Sequence, residues 1–148
     1  MYEYNVTVTK VVDGDTVDVD IDLGFGMTYK KQRVRLMGID TPESRTRDLE
    51  EKKFGKASKK HLKELLSQGD LTLISHDKGK FDRILGELWV HSKENEGHPV
   101  FEHDSKFCVN AQMINDNHAV PYDGQSKEDI ANNHLKNREI LLEKGIVT

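Results

Sequence analysis

The most chemically loaded stretch of the chain is Arg35-Leu36-Met37-Gly38-Ile39-Asp40-Thr41-Pro42-Glu43, where an arginine and two carboxylates fall close together. An apolar strand running out into this segment delivers Arg35, Asp40 and Glu43 to one small region of space. Pro42 fixes its own φ, lacks a backbone donor and pushes Thr41 toward extended geometry, so the chain must turn there in one defined shape. Such a cluster suits a site; taken alone it also suits an Asp-Thr-Pro turn carrying a solvated Glu. Asp15 adds a further carboxylate. It follows Asp13-Gly14 and opens a run in which Val17, Val19, Ile21 and Leu23 alternate with Thr16, Asp18, Asp20 and Asp22. Its parity places it with the valines, where a charge is costly unless it is neutralised or bound to a cation. A turn residue bonding its own backbone is the other common use of Asp after Gly. Asp18, Asp20 and Asp22 lie along the wet face of the strand, and no EF-hand glycine or closing Glu follows them, so a calcium loop is not expected there.

These residues need a scaffold, and the chain supplies one in order. Tyr2 to Val12, rich in Val and Thr, predicts a first strand ending in the Asp13-Gly14 turn, and Thr16 to Leu23 a second. Gly24-Phe25-Gly26 makes a hairpin, and Lys30 to Met37 returns antiparallel, bringing Asp15 and Asp40 within reach of each other. From Asp48 to Gln68, Phe54, Ala57, His61, Leu62, Leu65 and Leu66 recur at helical spacing among six lysines, with Gly69 as the expected C-cap. Its basic face serves solubility as readily as contact with DNA. Leu71 to Ser75 and Ile84 to His91 predict the fourth and fifth strands, joined by a turn at Asp77 to Lys80. Ser92 to Lys106 is polar and predicts a long loop; its histidines His98 and His103, taken with His91 and Cys108, match no zinc-ligand spacing. Val109 to Ile114 predicts a short helix, and His118 to Gly124 a turn presenting Tyr122. Ser126 to Asp129 has the form of a capping box. It opens a last helix with Ile130, His134, Leu135, Leu141 and Leu142 as the apolar stripe, closed by Gly145.

At 148 residues, 35% hydrophobic and 32% charged, the chain fits one ordinary core, so residues 1–148 are expected to form a single domain. A lone Cys108 excludes an internal disulfide and any Cys-rich zinc cluster. The sequence as given shows no signal-peptide pattern and no long apolar run, so the expectation is no membrane contact and a cytoplasmic location by default. The formal net charge of −4 argues against coating nucleic acid by bulk charge, but 12 of the 22 Lys and Arg fall between Lys30 and Lys63 against five acids. Salt screens over about 8 Å, so a polyanion would feel that patch more than the distant negative sum.

Five strands, with a helix between the third and fourth and two more at the C-terminal end, predict an α+β, mainly β, domain. The architecture expected is a five-stranded Greek-key barrel of the OB-fold type with about three helices. Along it, DGDT at Asp13–Thr16, RLMGIDTPE at Arg35–Glu43 and DRILGELWV at Asp82–Val90 stand in an order that resembles the staphylococcal nuclease (thermonuclease) family. The resemblance runs from about Val8 to Tyr122. It implies calcium-dependent hydrolysis of DNA and RNA phosphodiesters to 3′-phosphate and 5′-hydroxyl ends, with single strands preferred and a monomer expected. It also implies roles: Asp15, Asp40 and the Thr41 carbonyl as calcium ligands, Arg35 and Arg83 as phosphate clamps, and Glu43 as the group activating water. Lys80 and Tyr122 are the implied further substrate contacts. Asp82 stands where the family usually has glycine and Phe81 where it has tyrosine, the loop from Asp77 to Arg83 is short, and the one from Ser92 to Lys106 is long. The rival reading is a non-catalytic nucleic-acid-binding or interaction module. Degeneration of that kind should show first in the charged site, yet Asp15, Arg35, Asp40, Glu43 and Arg83 are all present.

Overall fold

The structure, a computed structural model, describes residues 2–78, 83–94 and 103–148. Strands β1 (Tyr2–Asp13), β2 (Thr16–Gly24) and β3 (Met27–Leu36) form an antiparallel meander, followed by the two-residue β4 (Ile39–Asp40). Helix α1 (Leu49–Leu66) leads to β5 (Asp70–Lys78) and β6 (Ile84–Glu94), then β7 (His103–Cys108), α2 (Val109–Asn115), β8 (Val120–Pro121) and α3 (Lys127–Glu143). The sheet order is β3-β2-β1-β5-β6-β7, and a parallel pairing of β3 with β6 closes it. That closure, Val34 with Ile84, Arg35 with Leu85 and Leu36 with Gly86, makes a five-stranded barrel of β1, β2, β3, β5 and β6, with β7 added outside it. A closed barrel has no free edge among its own strands, so the parallel β3–β6 pairing spares this otherwise antiparallel sheet from exposing unpaired backbone there.

The period-2 pattern of β2 is realised: Val17, Val19 and Ile21 are buried, as are Val34 and Leu36 from β3. Leu23 does not follow it. At 43% exposed it has passed beyond the barrel rim with the hairpin tip, where Phe25 and Met27 are exposed too. Leu73, Leu88 and Val90 complete the interior, and α1 closes one end with Leu62, Leu65 and Leu66 while α2 adds Val109 and Met113. The acids on the wet face of β2 are engaged locally. Asp18 holds Arg33 through two bonds of 2.9 and 3.2 Å, Asp20 accepts from Lys31 N and Asp22 from Gly24 N.

The structure departs from the sequence expectations at three places. The segment from Ser92 to Lys106 is not all loop: β6 continues to Glu94, and His103–Cys108 pairs with it as an edge strand. Edge strands need only one paired side, so a polar sequence can form one. Gly69 does not cap α1; the cap is Ser67 in the right-handed region, its N–H bonded to Lys63 O. The apolar stripe assigned to the last helix is only partly covered: Leu141 is buried, Ile130 and His134 are half-buried, and Leu135 and Leu142 are 52% and 47% accessible. Leu141 joins Phe54 of α1 and Val147 in a small second cluster outside the barrel. The predicted N-cap of α3 forms, Ser126 accepting from Asp129 N, and α1 has one as well, Asp48 accepting from Glu50 N and Glu51 N. Gly145 ends α3 with φ +71°.

Candidate active site

Two chain turns meet at the mouth of the barrel. The first, Asp13-Gly14-Asp15, joins β1 to β2; the second runs from Gly38 through β4 into Thr41-Pro42-Glu43. Asp15 is therefore a turn residue and not, as parity suggested, the first inward residue of β2. Its carboxylate is nonetheless 13% exposed and fully engaged. Oδ1 accepts from Thr16 Oγ1 at 3.0 Å, and Oδ2 accepts from Thr41 N at 3.3 Å and Arg35 Nη1 at 3.2 Å. The same guanidinium reaches Asp40, with Nη2 3.7 Å from Oδ1. Arg35, itself 18% exposed, thus spans two carboxylates from separate turns, and its Nη1 also donates to Leu36 O. Charges this far out of water persist only when paired, so each acid holds the arginine in place and the arginine holds both acids.

The second turn is tied down from several sides. Gly38 takes φ +81°, a region that favours glycine, and its carbonyl accepts from Tyr122 N at 2.8 Å. β4 pairs with β8, Ile39 opposite Pro121 and Asp40 opposite Val120, which sets the half-exposed Tyr122 beside the turn. Asn110 on α2 donates to Met37 O and Gly86 O and accepts from Leu88 N, stitching β6 to the end of β3. Below the turn, Ser44 Oγ donates to Asp13 Oδ1, and Glu43 N donates to Glu51 Oε1 on α1 at 3.3 Å.

Glu43 itself is exposed, on the side where Asp13, Asp15, Asp40 and Glu51 gather. Partial desolvation first, then repulsion from Asp13, Asp15, Glu51 and Asp40, pushes its carboxyl above the ordinary carboxylate value. An excess of negative charge at one place is what a bound cation would relieve. Among the described residues no three His, Cys, Asp or Glu side chains are arranged to hold a metal by themselves. The donors at hand are oxygens, the Asp15 and Asp40 carboxylates and the Thr41 carbonyl, so a hard cation with several remaining positions for water and phosphate fits this set better than a soft one.

Of the residues singled out from sequence, the structure brings Asp15, Arg35 and Asp40 into contact and hydrogen-bonds Thr41 to Asp15. Arg83 stands directly before β6, where Leu85 is the register partner of Arg35. Lys80, Phe81 and Asp82 lie outside the described residues. Sequence reasoning missed His134, whose Nε2 lies 2.7 Å from Asp40 Oδ2, and Gly55, which packs against the Glu43 backbone. His134 sits seven residues before the buried Leu141, a spacing that points it inward but names no partner.

A family model described as staphylococcal nuclease homologue matches residues 33–142. The chain is similar to the endonuclease YncB of Bacillus subtilis (strain 168), 34% identical over 93 residues, covering 60% of this chain and 41% of the relative. It is 34% identical over 85 residues to the thermonuclease of Staphylococcus intermedius, covering 56% and 47%, and 29% identical over 115 residues to protein ParB of Escherichia coli, covering 78% and 55%. The chain thus spans about half the length of these curated relatives. The match to the family model takes in the end of β3 with its acidic turn and the part of α3 that carries His134, and the chain belongs to the staphylococcal nuclease homologue family.

Proposed function

We propose that this chain is a calcium-dependent nuclease that hydrolyses phosphodiester bonds of DNA and RNA, single strands preferentially, leaving 3′-phosphate and 5′-hydroxyl ends. The observation that carries this reading is the Arg35 guanidinium spanning Asp15 and Asp40 beside the exposed Glu43. Endonuclease and thermonuclease activities named for the relatives support it.

The chemistry asks for these residue types. A phosphodiester under attack by water gains charge on its non-bridging oxygens as it becomes five-coordinate, so donors fixed in advance at that place lower the barrier. Arg35 supplies a planar fork already oriented by its two acids, and Arg83 would supply a second from the start of β6. Glu43 takes a proton from the attacking water as the new P–O bond forms, and its raised pKa makes it the better acceptor. The bond to the 5′-oxygen breaks, and that oxygen leaves as a hydroxyl after taking a proton from solvent. Asp15, Asp40 and the Thr41 carbonyl would hold calcium, which supplies positive charge next to the phosphate and a place to orient the water. Tyr122, exposed beside the turn, offers a ring for a base to stack on, and the basic run from Lys30 to Lys63 attracts the strand.

The test is plasmid nicking and single-strand cleavage with calcium and with chelator, followed by direct labelling of the products with a polynucleotide kinase. Calcium-dependent cleavage giving 5′ ends that accept phosphate without prior dephosphorylation is the expected result. Binding without cleavage would move the chain to the non-catalytic binding module.

A further inference from the structure

His134 on α3 reaches back across the chain to Asp40, with Nε2 2.7 Å from Oδ2 and the imidazole 13% exposed. A carboxylate only accepts, so the shared proton belongs to Nε2. Nδ1 is buried and has no hydrogen-bond partner among the described residues. That ring occupies Oδ2 and leaves Oδ1 turned toward Arg35 and the Asp15 side of the site.

The helix that carries this histidine is lightly held. Only Leu141 is buried on it, and among the described residues its further polar ties to the body are Asn137 Nδ2 to Ala119 O at 3.1 Å and a bond between Asn117 and Asn137. Arg138 lies over the Phe54 ring at 5.3 Å. The His134 bond therefore does two things at once: it docks α3, and it orients a carboxylate of the proposed cation site.

We propose that His134 is a positioning residue, holding Asp40 so that Oδ1 faces the cation, and that docking of α3 and occupation of the site by calcium are coupled through this bond. The inference rests on the calcium reading above. Coupling of this kind is reciprocal: if a docked α3 improves cation binding, the cation must stabilise the docked helix by the same factor. Hydrogen bonds that orient metal ligands are typically worth ~10- to 100-fold in affinity.

The test is calcium titration by calorimetry on the full chain, wild type against His134→Leu and His134→Gln, with amide hydrogen exchange of residues 127–143 with and without calcium. His134→Leu, which fills the space without a donor, should bind at least ~10-fold more weakly, and His134→Gln, whose amide can still donate to Asp40, should recover most of that loss. Calcium should slow exchange in α3 of the wild type and leave it unchanged in His134→Leu. Leucine and wild-type affinities within about twofold, or an α3 response to calcium that survives in the leucine variant, would overturn the proposal. If the leucine variant does not fold, the glutamine variant decides: a loss of ~10-fold with the donor kept would overturn it as well. A wild type that binds no calcium strikes the calcium reading and this inference together, whereas a wild type that binds while both variants match it strikes only the inference.

Discussion

Gly55 on α1 lies directly under the backbone of Glu43. A Cβ at this position would fall well inside van der Waals contact with the Glu43 carbonyl and within 2.6 Å of Ser44 N. In an exposed helix Gly→Ala gains up to ~1 kcal/mol from propensity, but here the added methyl meets backbone that cannot rotate away, and overpacking of that kind costs about 1–3 kcal/mol. Gly55→Ala should therefore lower the melting temperature and, by displacing the turn that carries Glu43, reduce turnover as well. A variant with raised stability and full activity would show that α1 stands off the turn.

Glu43→Gln keeps the size of the side chain and removes the proton acceptor. If Glu43 is the base, turnover should fall by at least ~10²-fold while binding of a single-stranded oligonucleotide stays nearly intact. A rise in KM alone would make Glu43 a substrate contact. Asp15→Asn, by contrast, should act on the cation: calcium affinity measured by calorimetry should weaken, because a site with two carboxylates loses half of its ligand charge.

Arg35→Lys replaces a planar fork that touches Asp15 and Asp40 together with a point charge that can follow only one of them. Catalytic efficiency should drop by roughly 10²-fold, and Arg83→Ala should cost a similar factor by removing a donor to the transition state. Near-wild-type rates in the first variant would reduce Arg35 to part of the basic patch, and in the second would remove Arg83 from the phosphate clamp.

What could be seen in the sequence and what could not divides along a physical line. The valines at 17 and 19 and the cap at Ser126 are local: period and capping chemistry depend on neighbours in the chain, and they form as expected. The meeting of Asp15 with Asp40 needed only the return of one antiparallel strand, so it too was legible. His134 was not. A helical period marks the inward face but cannot tell a residue packing on apolar neighbours from one bonding a carboxylate on a distant turn. Gly55 is hidden for a related reason, since a glycine within a helix shows a cost in propensity and gives no sign of which backbone needs the room. The edge strand His103–Cys108 escaped because its pairing is supplied entirely by β6.

A buried histidine outside the site should make stability fall in mild acid. His118 is 4% exposed, stacks on His61 with ring centroids 4.4 Å apart, and has no hydrogen-bond partner for Nδ1 among the described residues. Its neighbour is provided for: His61 Nε2 lies 2.6 Å from Asp116 Oδ2. Burial first, and repulsion from His61 second, lowers the His118 pKa from 6.5 to about 4. The folded state thus resists a proton that the unfolded chain accepts. Its contribution to stability is complete above pH 6.5, is lost progressively as the pH falls toward about 4, and changes no further below that. The full loss is on the order of 3 kcal/mol. His118→Phe keeps a ring over His61 and cannot titrate, and the bond from Ser58 Oγ to the backbone carbonyl at this position is unaffected by the change. Urea unfolding of both proteins at about pH 8 and about pH 5 should show the wild type losing more stability than the variant, with carboxylate contributions common to both cancelling in the difference. Equal losses would mean that His118 takes up its proton without unfolding, and that the His61 stack opens to admit it.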